Sequence, residues 1–448
     1  MPATATSKAL ASALLSSLLV PGGELARAEG FMDDAELSGM FESELAWGRG
    51  EAQKAEFVLT PELGVALSDS VQLTVIGRLR GDLVDELEPG VPEQRNRSPV
   101  SQRLFIGSHV DVELREAYVD FEVGDSFLRL GKQQVVWGQA DGLKVLDVLN
   151  PQSFREFILD DFDDSRIPLW TANAEIPVGD AMLQLLWIPD KTYDDIPEPD
   201  ALYAFTSPLV VPQVPPDLPP GVPITQTKLQ RPDAFFGDSD VAASLSVFVG
   251  GWDLSLNYAY HYFDRPVIRR DISPQGIAVR ADYERTHLLG GTFSNVFDDF
   301  TLRGEVGYSS DRYFLTNAIS DPDGVVHSGE LSYVLGLDYQ GWRDWFVSGQ
   351  IFQSVMSDHE RGVVRDRVDS TATLLLRGDF MNEALQAEAL LIHSLSQDDG
   401  VLQASVSYEW RSNIRFKLGA DIFYGDVEGL FGQFQDLDRL SISVELGF

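Results

Sequence analysis

Cysteine is absent from this 448-residue chain, which excludes disulfides, thiolate nucleophiles and thiolate metal sites. Basic residues are scarce: 34 Lys and Arg stand against 70 Asp and Glu, for a formal charge of -36. A surface of that sign repels phosphates, so nucleic acid is not a partner. Also missing is any unbroken run approaching the roughly 20 apolar residues of a membrane helix. If the chain lives in a membrane it does so as a closed barrel, because only helices and barrels satisfy every backbone group in lipid. The six histidines, His109, His261, His287, His327, His359 and His393, show no HExxH spacing. No GxSxG elbow, phosphate loop or dinucleotide fingerprint occurs either. The chain is therefore not read as an enzyme, and no cofactor or metal is expected. A Ser, His or Asp site spread over a barrel wall is the alternative that spacing does not reveal.

What is present is apolar and periodic. With 44% hydrophobic residues and 26 Phe the chain has ample surface to bury and is not disordered. Residues 1–28 read as a signal peptide: Lys8 supplies the charge, Ala9 to Val20 the short apolar stretch, and Ala26-Arg27-Ala28 the cleavage site before Glu29. Residues 29–448 then form a single domain. From Ser38 onward, strand patterns of period two alternate with turns. Trp252, Leu254, Leu256, Tyr258, Tyr260 and Tyr262 share one face, and Asp253, Ser255, Asn257, Ala259 and His261 the other. Short turns at Gly124-Asp125, Gly179-Asp180, Gly250-Gly251, Asp298-Asp299 and Met381-Asn382 alternate with longer loops near 85–108, 139–168, 190–239, 263–278, 311–329, 356–369 and 425–438. A sandwich mixes connection lengths at both ends, whereas an outer-membrane barrel has short periplasmic turns and long extracellular loops. The expectation is an all-β antiparallel transmembrane barrel of about 18 strands, or 16 without the first hairpin.

The last ten residues, RLSISVELGF, place Leu440, Ile442, Val444, Leu446 and Phe448 on one face. This strand resembles the terminal strand of bacterial outer-membrane β-barrels. The resemblance implies recognition by the barrel-assembly machinery through the Phe448 strand, with outer-membrane lipid as the surroundings and a Gram-negative outer membrane as the location. On the faces opposite the apolar ones, Ser244, Ser246, Ser255, Asn257, Ser405, Ser407, Ser441 and Ser443 suggest a hydrated lumen. Arg78, Arg80, Arg129, Arg303, Arg415 and Lys417 point inward with Glu116, Asp120, Glu122 and Glu305. Facing stripes of opposite charge select ions or polar solutes; the alternative is a set of cross-strand ion pairs holding the wall together.

The most distinctive segment is Leu128 to Trp170. Trp137 closes a strand, Asn150 is placed to cap a short helix starting at Pro151, and Phe154, Phe157 and Ile158 fall on its one face. Asp160, Asp161, Asp163 and Asp164 follow, then Arg166. Apolar residues of this kind are costly to leave in water, so residues 139–168 are expected to fold inward as a constriction, with an external cap as the alternative. The acidic run reads as a solvated turn before it reads as a divalent-cation site.

Leu130-Gly131-Lys132-Gln133, Trp137-Gly138-Gln139 and Leu149-Asn150-Pro151 resemble the signature of a family of poorly characterised, porin-like proteobacterial outer-membrane barrels, in which a strand ending WG(Q/E) precedes an NP-containing loop. Members are sometimes linked with RND-type exporters, which the resemblance makes a candidate partner. Residues 189–239 form a Pro-rich extracellular loop, stiff and unable to join the sheet ladder. The reading is an outer-membrane channel or transporter passing a solute through a polar lumen gated by an inserted loop. Its rivals are a component of a lipid or hydrophobic-compound export pathway and a structural or adhesive barrel without conductance.

Overall fold

The computed structural model describes residues 35–140, 142–213, 222–273, 276–318, 321 and 323–448. The expected signal peptide lies outside the described residues, as do Pro215, Pro216, Pro219 and Pro220 of the Pro-rich loop. In chain order the strands are β1 Ala35–Gly48, β2 Glu51–Ser68, β3 Val71–Asp82, β4 Leu104–Ile106, β5 Val110–Val123, β6 Ser126–Gln133, β7 Leu169–Val178 and β8 Ala181–Ile188. Then come β9 Ile224–Gln226, β10 Asp240–Val249, β11 Trp252–Tyr262, β12 Val267–Ser273, β13 Gly276–Asp282, β14 Arg285–Phe297, β15 Phe300–Leu315 and β16 Val325–Tyr339. The last six are β17 Trp345–Met356, β18 Val368–Phe380, β19 Leu385–Ser394, β20 Asp399–Arg411, β21 Ile414–Tyr424 and β22 Arg439–Gly447.

Among the described residues one sheet holds nineteen strands. Short β4 pairs only with β5, and the other eighteen form a closed antiparallel ring because β22 pairs back onto β1 from Met40 opposite Gly447 to Trp47 opposite Leu440. The first hairpin is thus part of the wall. The seam ends on reciprocal backbone hydrogen bonds, Gly39 N to Phe448 O at 3.1 Å and Phe448 N to Gly39 O at 3.0 Å.

Period-two patterning builds the wall. Leu256 and Leu418, both 58% exposed, face outward, while Asn257 at 2% and Ser443 at 5% lie on the opposite face. Each such leucine gains about 2 kcal/mol on leaving water. Trp47, Tyr258, Trp345, Tyr408 and Trp410 are also exposed outward, as residues at a membrane interface are. The tightest turns need left-handed backbone: Arg49-Gly50 at φ 56° and 85°, and Gly250-Gly251 at 59° and 86°, the geometry that matches strand twist in a two-residue hairpin.

Three expectations are corrected. Long loops do not stand at every outer end, since β1–β2 and β19–β20 close through Arg49-Gly50 and residues 395–398. The loop placed at 263–278 contains the β12–β13 hairpin, to which Ile224–Gln226 of the Pro-rich connection adds in parallel, so that connection does join a small sheet. Residues 150–159 form no helix. The Asn150 side chain accepts from Val135 N at 2.8 Å and donates to Ile167 O at 2.9 Å, bracing both flanks of the segment instead of capping. Gln152 and Ser153 form bridges with Arg166 and Asp195, and Phe157 has φ 58°. A single helical turn, α1 Phe162–Ser165, follows Asp161.

Candidate functional site

Most of the charged residues expected on the polar face are paired there. Arg78 donates to Glu113 and Arg80 to Asp111 at 2.9 Å. Arg129 donates to both oxygens of Asp120, at 2.7 and 2.9 Å, and lies 4.0 Å over the Tyr118 ring. Glu116 accepts from Gln134 at 3.2 Å, Glu122 stands opposite Phe127, and Arg415 reaches Glu445 at 3.4 Å. Lys417 sits between Ser407 and Ser443 in register. Arg303 pairs with Asp338 at 2.9 Å and donates to the Gln139 carbonyl. The Glu305 carboxylate accepts from Gln139 N and, at 3.2 Å, from Leu146 N.

Residues 134–168 therefore reach β15 in its first third. Farther along they reach another part of the wall. Arg155 donates to Glu56 and, at 3.0 Å, to Asp82, and its Nε stands 3.2 Å from Glu88. Glu156 meets Lys54 at 2.5 Å and Arg439 at 2.6 Å, and Arg439 meets Asp421 at 2.8 Å. Glu56 lies on β2 and Glu305 on β15, nine places apart in the ring of eighteen.

This network runs on into the connection between β3 and β5. Arg103 donates to Glu88 at 2.7 Å, and Arg97 bridges Glu113 at 3.0 Å and Asp195 at 3.1 Å. Burial alone would raise the Glu88 carboxyl, but Arg103, Arg80 and Arg155 hold it well below the usual carboxylate range. Glu156 is likewise held low, against its burial, by Lys54, Arg439 and Arg155. Asp160 goes the other way: burial and the Glu156 carboxylate push it up to about 8.

Two apolar clusters flank these charges. In the first, Leu186, Ile188, Ala242, Ala259 and Leu288 of the polar face are covered by Val135, Trp137, Leu146 and Leu149, and Trp137 donates to Gln184 at 2.9 Å. In the second, Phe157 packs against Phe205, Phe423, Phe431 and Phe434, with centroids 4.9 to 6.2 Å away, and Phe154 meets Phe205 at 5.9 Å. Beside the serines, the inward faces also carry Leu186, Leu288, Ile392, Val401 and Phe423. A cavity of about 30 Å³ lies between Trp137, Lys144, Asp147, Arg166 and Glu305.

The remaining segment residues bond within the segment and to Arg115 of β5. The Pro151 carbonyl accepts from Ile167 N at 2.8 Å, and the Asp161 carbonyl from Ser165 N at 3.0 Å. Asp163 pairs with Arg166 at 2.5 Å, and Arg166 with Asp147 at 2.8 Å. Arg115 donates to the Asp163 carbonyl and, at 3.1 Å, to that of Asp164. The acidic run is thus used for turn geometry and ion pairing. Lys54, Glu56, Glu88, Arg97, Arg103, Arg155, Glu156 and Arg439 were missed by sequence reasoning; only long-range pairing brings them together, although Arg155-Glu156 inside an apolar stretch was a signal.

A closed, eighteen-strand ring with an apolar outer face and a charged inner one defines the class: a transmembrane β-barrel with the fold of outer-membrane porins. Residues 103–448 match the family described as "Protein of unknown function (DUF1302)", and the chain belongs to that family. Among solved structures, Pseudomonas aeruginosa OccK2 (OpdF) in complex with glucuronate is 12% identical with a TM-score of 0.51, over 93% of this chain and 98% of that one. OpdK of the same organism, with vanillate, is 12% identical with a TM-score of 0.52, over 94% and 100%. Acinetobacter baumannii OccAB2 is 9% identical with a TM-score of 0.52, over 93% and 98%. No curated protein matches the sequence.

Proposed function

We propose that the chain is an outer-membrane channel whose lumen is crossed and narrowed by residues 134–168. The observation that carries this reading is the pair of attachments on opposite sides of the ring, Glu305 on β15 and Lys54 with Glu56 on β2. A segment held at both points runs across the ring. The wall charges outside the network, among them Arg129 with Asp120, Arg415 with Glu445, and Lys417, then set the field a solute meets. OccK2 and OpdK are described with glucuronate and vanillate, both carboxylates, so a small organic acid is the solute class we assign. Secretion by residues 1–28, recognition of the Phe448 strand by the assembly machinery and coupling to an RND-type exporter belong to the same proposal.

The export reading needs a lateral path to lipid. Continuous pairing of β1 with β22 over residues 40–47, closed by Phe448 on Gly39, speaks against one at the seam. The test is proteoliposome swelling in isosmotic glucuronate and in neutral sugar. Swelling faster in glucuronate is expected; no swelling in either, from protein verified as folded, refutes the channel and favours the structural barrel.

A further inference from the structure

Glu305 was expected to be a selectivity residue, but its surroundings assign a different task. Its carboxylate accepts from the backbone amides of Gln139, Ala140 and Leu146. Two residues along the same face of β15, Arg303 donates to the carbonyl of Gln139. The wall thus grips one peptide of the segment from both sides, amide and carbonyl. Gly138 makes the approach possible: at φ 89°, a Cβ there would sit 2.7 and 2.8 Å from the two Glu305 oxygens. Glu305 is 3% exposed, so little water competes for its hydrogen bonds. Charge-assisted bonds to backbone amides are the strong kind, and converging amides in a turn form an anion-binding concavity.

We infer that Glu305 is the latch of the constricting segment: a carboxylate carried by the wall that fills an anion cradle carried by the loop. The inference rests on the channel reading for its consequence, since releasing the latch frees the part of the segment near Gln139 while Arg155 and Glu156 stay bound at the far side. A cradle of amides is not specific for a glutamate side chain. Any small carboxylate of the right size fills it, so formate supplied in solution substitutes for a side chain that has been removed.

The experiment uses the full mature chain in detergent and planar bilayers, as wild type, Glu305→Ala and Glu305→Gln. Amide hydrogen exchange at Gln139, Ala140 and Leu146 is followed with formate or with chloride at equal ionic strength. In Glu305→Ala, protection at these amides is expected to fall about tenfold to a hundredfold, the effect of losing charge-assisted bonds on an opening equilibrium. Formate restores it and chloride does not. Glu305→Gln, which keeps the volume but halves the acceptor capacity, falls between. Protection unchanged in both variants overturns the latch. So does protection lost evenly around the barrel and indifferent to formate, which marks a merely structural residue. Conductance on the same variants separates the two readings: protection lost and restored by formate while current stays at the wild-type level upholds the latch and overturns gating by the segment.

Discussion

Replacing Arg155 by Met tests whether the far attachment is electrostatic. The guanidinium is 5% exposed and is shared by Glu56, Asp82 and Glu88. Methionine retains much of the apolar stem but leaves three carboxylates facing one another with Lys54, Arg80 and Arg103 nearby. Removing one partner from a buried ion pair costs about 3–5 kcal/mol, because the remaining charge is left desolvated. The β2–β3 ladder does not pass through this side chain, so the cost falls on docking of the segment and not on the barrel. At about 1.4 kcal/mol per factor of ten, the docking equilibrium falls roughly a hundredfold to several thousandfold. Exchange at the Phe157 and Leu159 amides, which donate to Phe154 O at 2.8 Å and Glu156 O at 3.0 Å, reads that change directly. In Glu56→Gln the loss is smaller, and the double variant loses less than the sum of the two, since the pair is coupled. Additivity within about 0.5 kcal/mol, or exchange at both amides unchanged in Arg155→Met, would refute the reasoning.

Further outcomes follow from other contacts. Asp160 rises from 3.8 to about 8 in the docked segment, so its contribution to docking is complete below pH 3.8 and is lost as pH rises through about 8. Current and loop exchange should increase over that window, and Asp160→Asn should flatten the increase; a flat wild-type profile contradicts it. Glu88 and Glu156, held low by their cationic neighbours, lose their contribution only in strong acid. Phe157→Ala removes the ring at the centre of the second apolar cluster at a local cost of about 3–5 kcal/mol. Faster exchange at the Phe434 amide, which donates to Phe431 O at 3.0 Å, is the expected sign, and an unchanged rate removes Phe157 from that role. Arg129→Glu reverses the charge beside Asp120 and should shift the reversal potential toward cations; an unmoved potential takes Arg129 out of the selectivity field.

The wall was legible because the signal is local. Leu254 to Tyr262 and Leu440 to Phe448 declare their outward faces through alternation alone, and the side-chain period makes a one-residue error self-defeating. The same alternation put Arg78, Arg80, Arg303 and Glu305 on the inner face before any partner was known. Partners were not legible, because Glu113, Asp338 and the Gln139 amide lie 35 or more residues away. Phe157 is buried and Phe154 partly buried, yet the helix inferred from Asn150-Pro151 did not form. Its capping amide is used on Val135 and Ile167, and a positive φ at Phe157 ends any helical run. Arg97 and Arg103 looked like ordinary loop polarity until tertiary structure placed them against Glu113 and Glu88.

Single-channel current through the mature chain, with and without residues 141–166, tests most directly whether the segment crosses a conducting lumen. The expected result is a small, steady conductance in the intact chain that rises severalfold on deletion. Equal current in both forms, or silence in both from protein verified as folded, contradicts it.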